Sequence, residues 1–435
     1  MAREYKDSGI EWIGQIPKEW KVIKLKHESQ FINGYAFDSN DFKLEGDVRV
    51  VRIGDIGLSI DWNNCIYVNN SAILLDAYKI CNGDILIAMS GATTGKCCLA
   101  TNIKEAYINQ RVGIIRSEKR KLVFFSLLAP YFKEYVNLNN AGSAQPNISS
   151  KAIGEFPLVM PKSLSEQQKI ADYLDKVCGE ADEMIALQEK MIEELKAYKQ
   201  SIITETVTKG LNPNVPMKNS GIDWIGEIPE HWNLIHFYKI NWIRARLGWK
   251  GLKADEYTET GYPFLSAFNI INDKLIWEDL NFINQDRYDE SPEIKLSTGD
   301  LLLVKDGAGI GKCAVVDELP FGEATVNSSL AVVSPNSEII DSHFQYYYFK
   351  SAIFQNTIWL LKIGMGVPHL TQENMRDIVI PNPPLSEQQS IASYLDTKCS
   401  EIDSLIAIKQ QKIMELKEYK KSVIYEYVTG KKEVV

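Results

Sequence analysis

The chain is written twice. Residues 7–20 read DSGIEWIGQIPKEW, and residues 219–232 read NSGIDWIGEIPEHW. Residues 164–178, LSEQQKIADYLDKVC, return at 385–399 as LSEQQSIASYLDTKC. The offsets are 212 and 221 positions in a chain of 435, so the repeating unit is about half the molecule. That excludes a solenoid, whose repeats run roughly 20–50 residues. Duplication on this scale builds two similar folding units, which can present two similar surfaces about a pseudo-two-fold axis. Such a pair suits a partner that is itself two-fold symmetric, and duplex DNA is the commonest.

Each half divides into a mixed segment and a long helix, giving boundaries at 1–163, 164–211, 212–384 and 385–435. The mixed segments carry short β-rich runs between Gly, Asn and Asp turns. DILIAM at 84–89 matches DLLLVK at 300–305, and VGIIR at 112–116 matches LAVVS at 330–334. Both segments read as compact mixed α/β (α+β) domains. Ser165 with Gln168, and Ser386 with Gln389, have capping-box spacing at the helix starts. Gly210 and Gly430 stand where a terminating glycine belongs.

Between these signals a heptad seam runs along each helix. In the first copy it comprises Ile170, Leu174, Val177, Ala181, Met184, Met191, Leu195, Tyr198 and Ile202, with Gln188 as a polar member. In the second, Ile391, Leu395, Ile402, Leu405, Leu416, Tyr419 and Val423 hold the matching places. Lys398, Lys409 and Lys412 interrupt this second seam, and Ile406 and Ile413 widen the stripe beside it. A helix of 44 residues spans about 66 Å and needs a partner for its stripe. The simplest partner is the other copy, packed antiparallel as a coiled coil.

Composition narrows the remaining classes. No run of about 18 apolar residues is present, so no membrane span is expected. Seven cysteines without a C-x-x-C pair fit buried thiols in a reducing cytoplasm. Five scattered histidines give no metal-ligand spacing, so no metal site is expected. The net charge of −9 is unevenly spread: residues 1–163 carry +3, whereas 212–384 carry −8. Attraction to phosphate would be local or supplied by other subunits.

Three motifs imitate catalytic ones. GATTGKC at 91–97 and GAGIGKC at 307–313 suggest a phosphate loop, but three residues rather than four separate the glycines. Cys97 and Cys313 stand where a magnesium-binding hydroxyl is required, so a glycine-rich turn after a buried strand is the better reading. Asn382-Pro383-Pro384 approaches a methyltransferase loop but is followed by Leu385 instead of an aromatic residue. Glu293-Ile294-Lys295 matches a nuclease E-x-K element only by a common chance spacing. No catalytic residue is expected on this chain.

Candidate DNA contacts cluster in the segments where the halves differ. Arg244, Arg246, Lys250 and Lys253 interleave with Trp242 and Trp249, a mixture suited to phosphates, base edges and thymine methyls. The corresponding stretch of the first half, NGYAFDSNDFK at 33–43, offers Tyr35, Phe37 and Ser39. Lys96 and Lys312 follow the paired glycine turns, and Arg111 and Arg116 flank a strand. Gln145 and His369 lie in the turns GSAQPNIS and GMGVPHLT. Asn109, Gln110 and Asn327 are weaker candidates at matching strand entries.

As a duplicated, ordered set these blocks resemble the specificity subunit of type I restriction–modification enzymes over essentially the whole chain. The resemblance implies two target-recognition domains separated by a pair of long antiparallel helices. Each domain would read part of a split target in double-stranded DNA, and the helices would set the spacing. It further implies two methyltransferase (modification) subunits, and leaves open whether two restriction/translocase subunits join them. S-adenosylmethionine, ATP and magnesium would then be bound by those partners, with no cofactor on this chain. The family fold also brings the N-terminal segment near the chain end. A scaffold that binds protein alone is the competing reading.

Overall fold

The computed structural model describes residues 3–69, 76–101, 103–140, 146–245, 256–361 and 369–434. The chain forms two compact units: residues 1–189 with 410–435, and residues 190–409. In the first, a four-stranded antiparallel sheet has the order Gln30–Asn33, Val112–Arg116, Ile85–Ala88, Cys97–Leu99. A three-stranded sheet lies beside it, with Ile66–Val68 antiparallel and Ala106–Ile108 parallel to the central Val48–Val51. The second unit repeats both sheets. Its larger one has the order Asn241–Arg244, Leu330–Pro335, Leu301–Val304, Cys313–Val315, and its smaller one centres on Tyr262–Leu265.

The unbroken apolar run at 85–88 follows from burial on both faces. Ile85 and Ile87 join the core under Arg120–Leu128, Pro130–Asn139 and the adjoining long helix. Leu86 and Ala88 point the other way, into the core shared with the three-stranded sheet. Leu301 with Leu303, and Leu302 with Val304, divide in the same manner in the second unit.

Leu164–Lys209 and Leu385–Val428 are continuous helices of 46 and 44 residues. Within the first unit they run antiparallel: Tyr173 meets Tyr427 with ring centroids 4.5 Å apart, and Asp182 pairs with Lys420. Within the second, Lys199 pairs with Asp403 at 2.7 Å. Both ion pairs combine a seam lysine with an aspartate of the other helix, and the two are related by the 221-residue offset.

Four of the sixteen apolar residues of the expected seam give way to the residue one position on. Ile170, Leu174, Ile391, Leu395, Ile402, Leu416 and Val423 are buried, and Leu195 and Ile202 are half-buried. Met184, Tyr198, Leu405 and Tyr419 are exposed. Their places are taken by Ile185 and Lys199 on the first helix and by Ile406 and Lys420 on the second. The buried face therefore combines one heptad set with the set four residues on, instead of three. Both faces offer apolar residues, and the covered one carries the buried Ile185, Ile192 and Ile413.

The helix starts differ from the capping-box expectation as well. Both helices begin at Leu164 and Leu385, ahead of the serines expected to cap them. Ser163 Oγ accepts the Glu166 amide at 3.4 Å. Buried Gln167 and Gln388 then close the preceding turns by donating to the Pro161 and Pro383 carbonyls. At the far end Gly430, at φ +69, lets the Lys431 amide reach back to the Glu426 carbonyl (2.8 Å).

The repeated blocks touch one another. Buried Trp20 donates its indole N–H to Glu166 in the first turn of the long helix (3.2 Å), and buried Trp232 does the same to Glu387 (3.0 Å). The carboxylate also sits favourably at the positive end of the helix dipole. The N-terminal segment reaches the chain end within the first unit. Tyr425 Oη donates to the Trp12 carbonyl at 3.2 Å, and Lys431 Nζ to that of Ile13 at 2.9 Å.

Candidate nucleic-acid interface

The larger sheet of each unit gathers its loops at one end. In the first unit, register places Asn33 opposite Gly113, Ala88 opposite Val112 and Ile87 opposite Cys97. The turns leaving these residues therefore emerge side by side. They carry Tyr35 and Phe37, Asn109 to Arg111, and Ser90 to Lys96. Gly34 permits the closest approach, since a Cβ there would lie 2.0 Å from the Asn109 carbonyl oxygen. The Met89 amide donates to the Arg111 carbonyl at 2.9 Å, and the Gly91 amide to that of Pro146 at 2.9 Å. The turn beginning at Pro146 thus joins the same end.

The Gly-Lys segments are tight hairpin turns. Gly91 and Gly95 have φ of +75° and +83°, and Gly307 and Gly311 have +82° and +91°. Cys97 and Cys313 are buried in the strands that follow, where desolvation pushes both thiols upward and keeps them neutral. Lys96 and Lys312 are exposed at the turns, as is Arg111, and no side-chain partner is seen for these three among the described residues. Tyr35 and Phe37 are half-buried and meet edge-on at 4.9 Å, while Ser39 is exposed at the start of the turn Ser39–Asp41.

In the second unit the equivalent end comprises the Lys305–Lys312 turn, the loop from Asn327 to Ser329, and His369. The Lys305 amide donates to the Ser329 carbonyl (2.9 Å), and the Leu370 amide to the Lys305 carbonyl (2.9 Å). His369 Nδ1 bonds the Asp306 carboxylate, which also pairs with Lys305 at 2.6 Å. The Asp306 partner was missed from sequence, although it is the counterpart of Ser90 in the aligned turns. Gln145, Arg246, Trp249, Lys250 and Lys253 lie outside the described residues.

Two expected contacts are corrected. Arg116 makes a two-pronged ion pair with buried Asp84 (2.8 and 3.1 Å) and donates to the Lys79 carbonyl. Arg244 is buried against Asp300 at 2.7 Å and also donates to the Lys295 carbonyl and Ser334. Asp84 and Asp300 are equivalent residues at the base of the glycine hairpins, but their arginines arrive from different strands. Each charge is needed internally, because a buried carboxylate without its cation is costly. Nor are the other catalytic look-alikes free. Asn382 Oδ1 accepts from Gln388 Nε2 at 3.2 Å, and Lys295 pairs with Asp289 at 2.6 Å.

The contrast between internal and exposed cations is measurable in chemical unfolding. Arg244→Ala is expected to destabilise the second unit by about 3–5 kcal/mol. Lys312→Ala, on an exposed turn, is expected to change stability by less than about 0.5 kcal/mol.

Comparison with known proteins gives the same picture. The model of the type I restriction modification DNA specificity domain matches residues 17–197 and again 249–428. The MjaVIII specificity subunit of Methanocaldococcus jannaschii is 25% identical over 426 residues, covering 96% of this chain and 94% of its own. The EcoBI specificity subunit of Escherichia coli is 23% identical, covering 93% and 84% respectively. A solved chain from a study of type I R-M complex assembly and conformational transition shares the fold. Its TM-score is 0.71 at 15% identity, covering 95% of this chain and 99% of that one. With two family matches that together span most of its length, this chain belongs to the type I restriction–modification DNA specificity family.

Proposed function

We propose that this chain is the DNA-reading, non-catalytic subunit of a cytoplasmic type I restriction–modification complex. The observation that carries the reading is a duplicated scaffold with unlike loop ends. The sheets, the buried aspartates at the hairpin bases and the Trp–Glu contacts repeat, whereas Tyr35, Phe37 and Arg111 are replaced by different residues in the second half of the sequence. Lys96, Arg111 and Lys312 would hold phosphates, while the neighbouring polar and aromatic side chains read base edges. Reading two unlike half-sites requires unlike loops on like supports. The −8 charge of residues 212–384 makes phosphate attraction in that domain depend on local lysines and on the assembled complex.

Catalysis belongs, on this reading, to two modification subunits that bind S-adenosylmethionine and methylate adenine. Restriction subunits that use ATP and magnesium join where restriction occurs. The side chains displaced from the helix seam supply a docking surface. Met184 and Leu187 are exposed in the first unit, and their counterparts Leu405 and Ile408 are exposed in the second. Equivalent apolar patches on equivalent helix segments suit two copies of one partner.

Replacing residues 212–384 by the corresponding domain of a relative should change one half-site of the methylated sequence and leave the other intact. A change in both would contradict modular reading. At the helices, Met184→Glu should weaken co-purification of the modification subunit while leaving thermal melting of the free chain nearly unchanged. Ile185→Ala, one residue along, should destabilise the free chain by about 2–4 kcal/mol. Equal effects of the two substitutions on melting would remove the docking assignment.

A further inference from the structure

We propose that Phe268 is a specificity-determining residue of the second domain, its ring making an apolar contact with a thymine in the half-site that this domain reads. The inference rests on the DNA-reading function proposed above. Phe268 is 91% exposed, the most exposed of the large hydrophobic side chains among the described residues. Isolated exposed apolar residues are ordinary on protein surfaces, but three observations set this one apart.

The first is rigidity. Phe268 is the middle residue of the short turn Ala267–Asn269, which is clamped by reciprocal bonds. The Ser266 amide donates to Asn269 Oδ1 at 2.9 Å, and the Phe268 amide donates to Ser266 Oγ at 3.3 Å. The ring is thus carried on a fixed base. The second is location. The Asn327 amide donates to the Leu265 carbonyl at 2.7 Å, and the Ala267 amide to Ser329 Oγ at 3.4 Å. Ser329 is in turn bonded to Lys305, and Lys305 to the His369–Leu370 turn. One chain of hydrogen bonds therefore links the turn of Phe268 to the other loops of the candidate interface.

The third is asymmetry. The first unit contains the corresponding turn at Ile53–Asp55, where Asp55 accepts the Arg52 amide at 2.8 Å, Arg52 has no hydroxyl to return the bond, and Gly54 stands in place of Phe268. A Cβ at Gly54 would meet nothing within 4 Å, so the site is open and left bare. Two domains that read different half-sites must differ at positions facing DNA, and here one presents a ring where the other presents only backbone. Thymine is the natural occupant. Its C5-methyl is the apolar group on the major-groove edges of the bases, and aromatic side chains contact it. Exposed Lys312 at the same end supplies a phosphate contact to hold the duplex in register.

The test uses the full chain assembled with its modification subunits. Methylated motifs are mapped for the unchanged complex, Phe268→Ala and Phe268→Leu. Phe268→Ala is expected to make one thymine position degenerate, losing roughly five- to tenfold discrimination. That position must fall in the half-site altered by exchange of residues 212–384, with the other half-site unchanged. Phe268→Leu, still apolar, should retain most of the preference. Replacing that thymine by deoxyuridine should weaken binding of the unchanged complex but not of Phe268→Ala. An unaltered motif in Phe268→Ala, or an even loss across all sequences, would overturn the role of Phe268 while leaving DNA reading intact. Absence of any split motif from the unchanged, active complex would overturn both.

Discussion

A helix of 46 residues with an apolar stripe cannot stand alone in water, and the architecture answers that constraint. Each long helix finds its partner in the other copy of itself. Apolar contact alone would allow the pair to slip by a turn. The Lys199–Asp403 and Lys420–Asp182 pairs, equivalent under the repeat, supply polar contacts that favour one antiparallel register. The helix starts are in turn tied to the tryptophan blocks through Glu166 and Glu387. Each mixed domain is thereby anchored to the helix that follows it. Tyr347 adds a second anchor in the second unit by donating to Asp396, and Lys121 adds one in the first by pairing with Asp175. The most strongly repeated stretches of sequence are those that make these joints.

Much of this was legible because duplication doubles every signal. A lone tryptophan or a lone glycine turn says little, but the same residue returning at a matching offset marks a shared structural duty. The strand pairs, the helix lengths and the glycine ends were readable in this way. The phase of the seam was not. Met184 beside Ile185 and Leu405 beside Ile406 offer apolar residues on two adjacent helix faces, and spacing cannot choose between them. The covered face is the one that carries Ile185 and Ile406 and the lysines that reach across to aspartates. Lys199 and Lys420 could not be identified as interhelix partners from the sequence, because their carboxylate partners lie more than 200 positions away.

The arginines teach a related lesson about the interface. Arg116 and Arg244 stand in segments that seemed suited to DNA, yet both neutralise a buried aspartate at the base of a glycine hairpin. The aspartates occupy equivalent positions and the arginines do not, so alignment of the halves conceals the shared purpose. Lys96, Arg111 and Lys312, by contrast, are exposed cations at the loop end. The division is physically sensible. Charges inside the domain stabilise the frame, and charges on its turns remain available. Phe268 gave no signal in the sequence because no basic residue stands beside it in the stretch LSAFNI at 265–270. A reader of two unlike half-sites needs differences between its halves.

The account stands on one claim: this chain gives an otherwise catalytic complex its split DNA target. Methylated adenines mapped across the genome of a host carrying the chain and its modification subunit test that claim most directly. The account predicts a motif of two defined half-sites separated by a fixed run of unspecified bases, present with the chain and absent when it is deleted. An assembled, active complex that methylates without such a motif would contradict it, as would a split motif that persists in the absence of this chain.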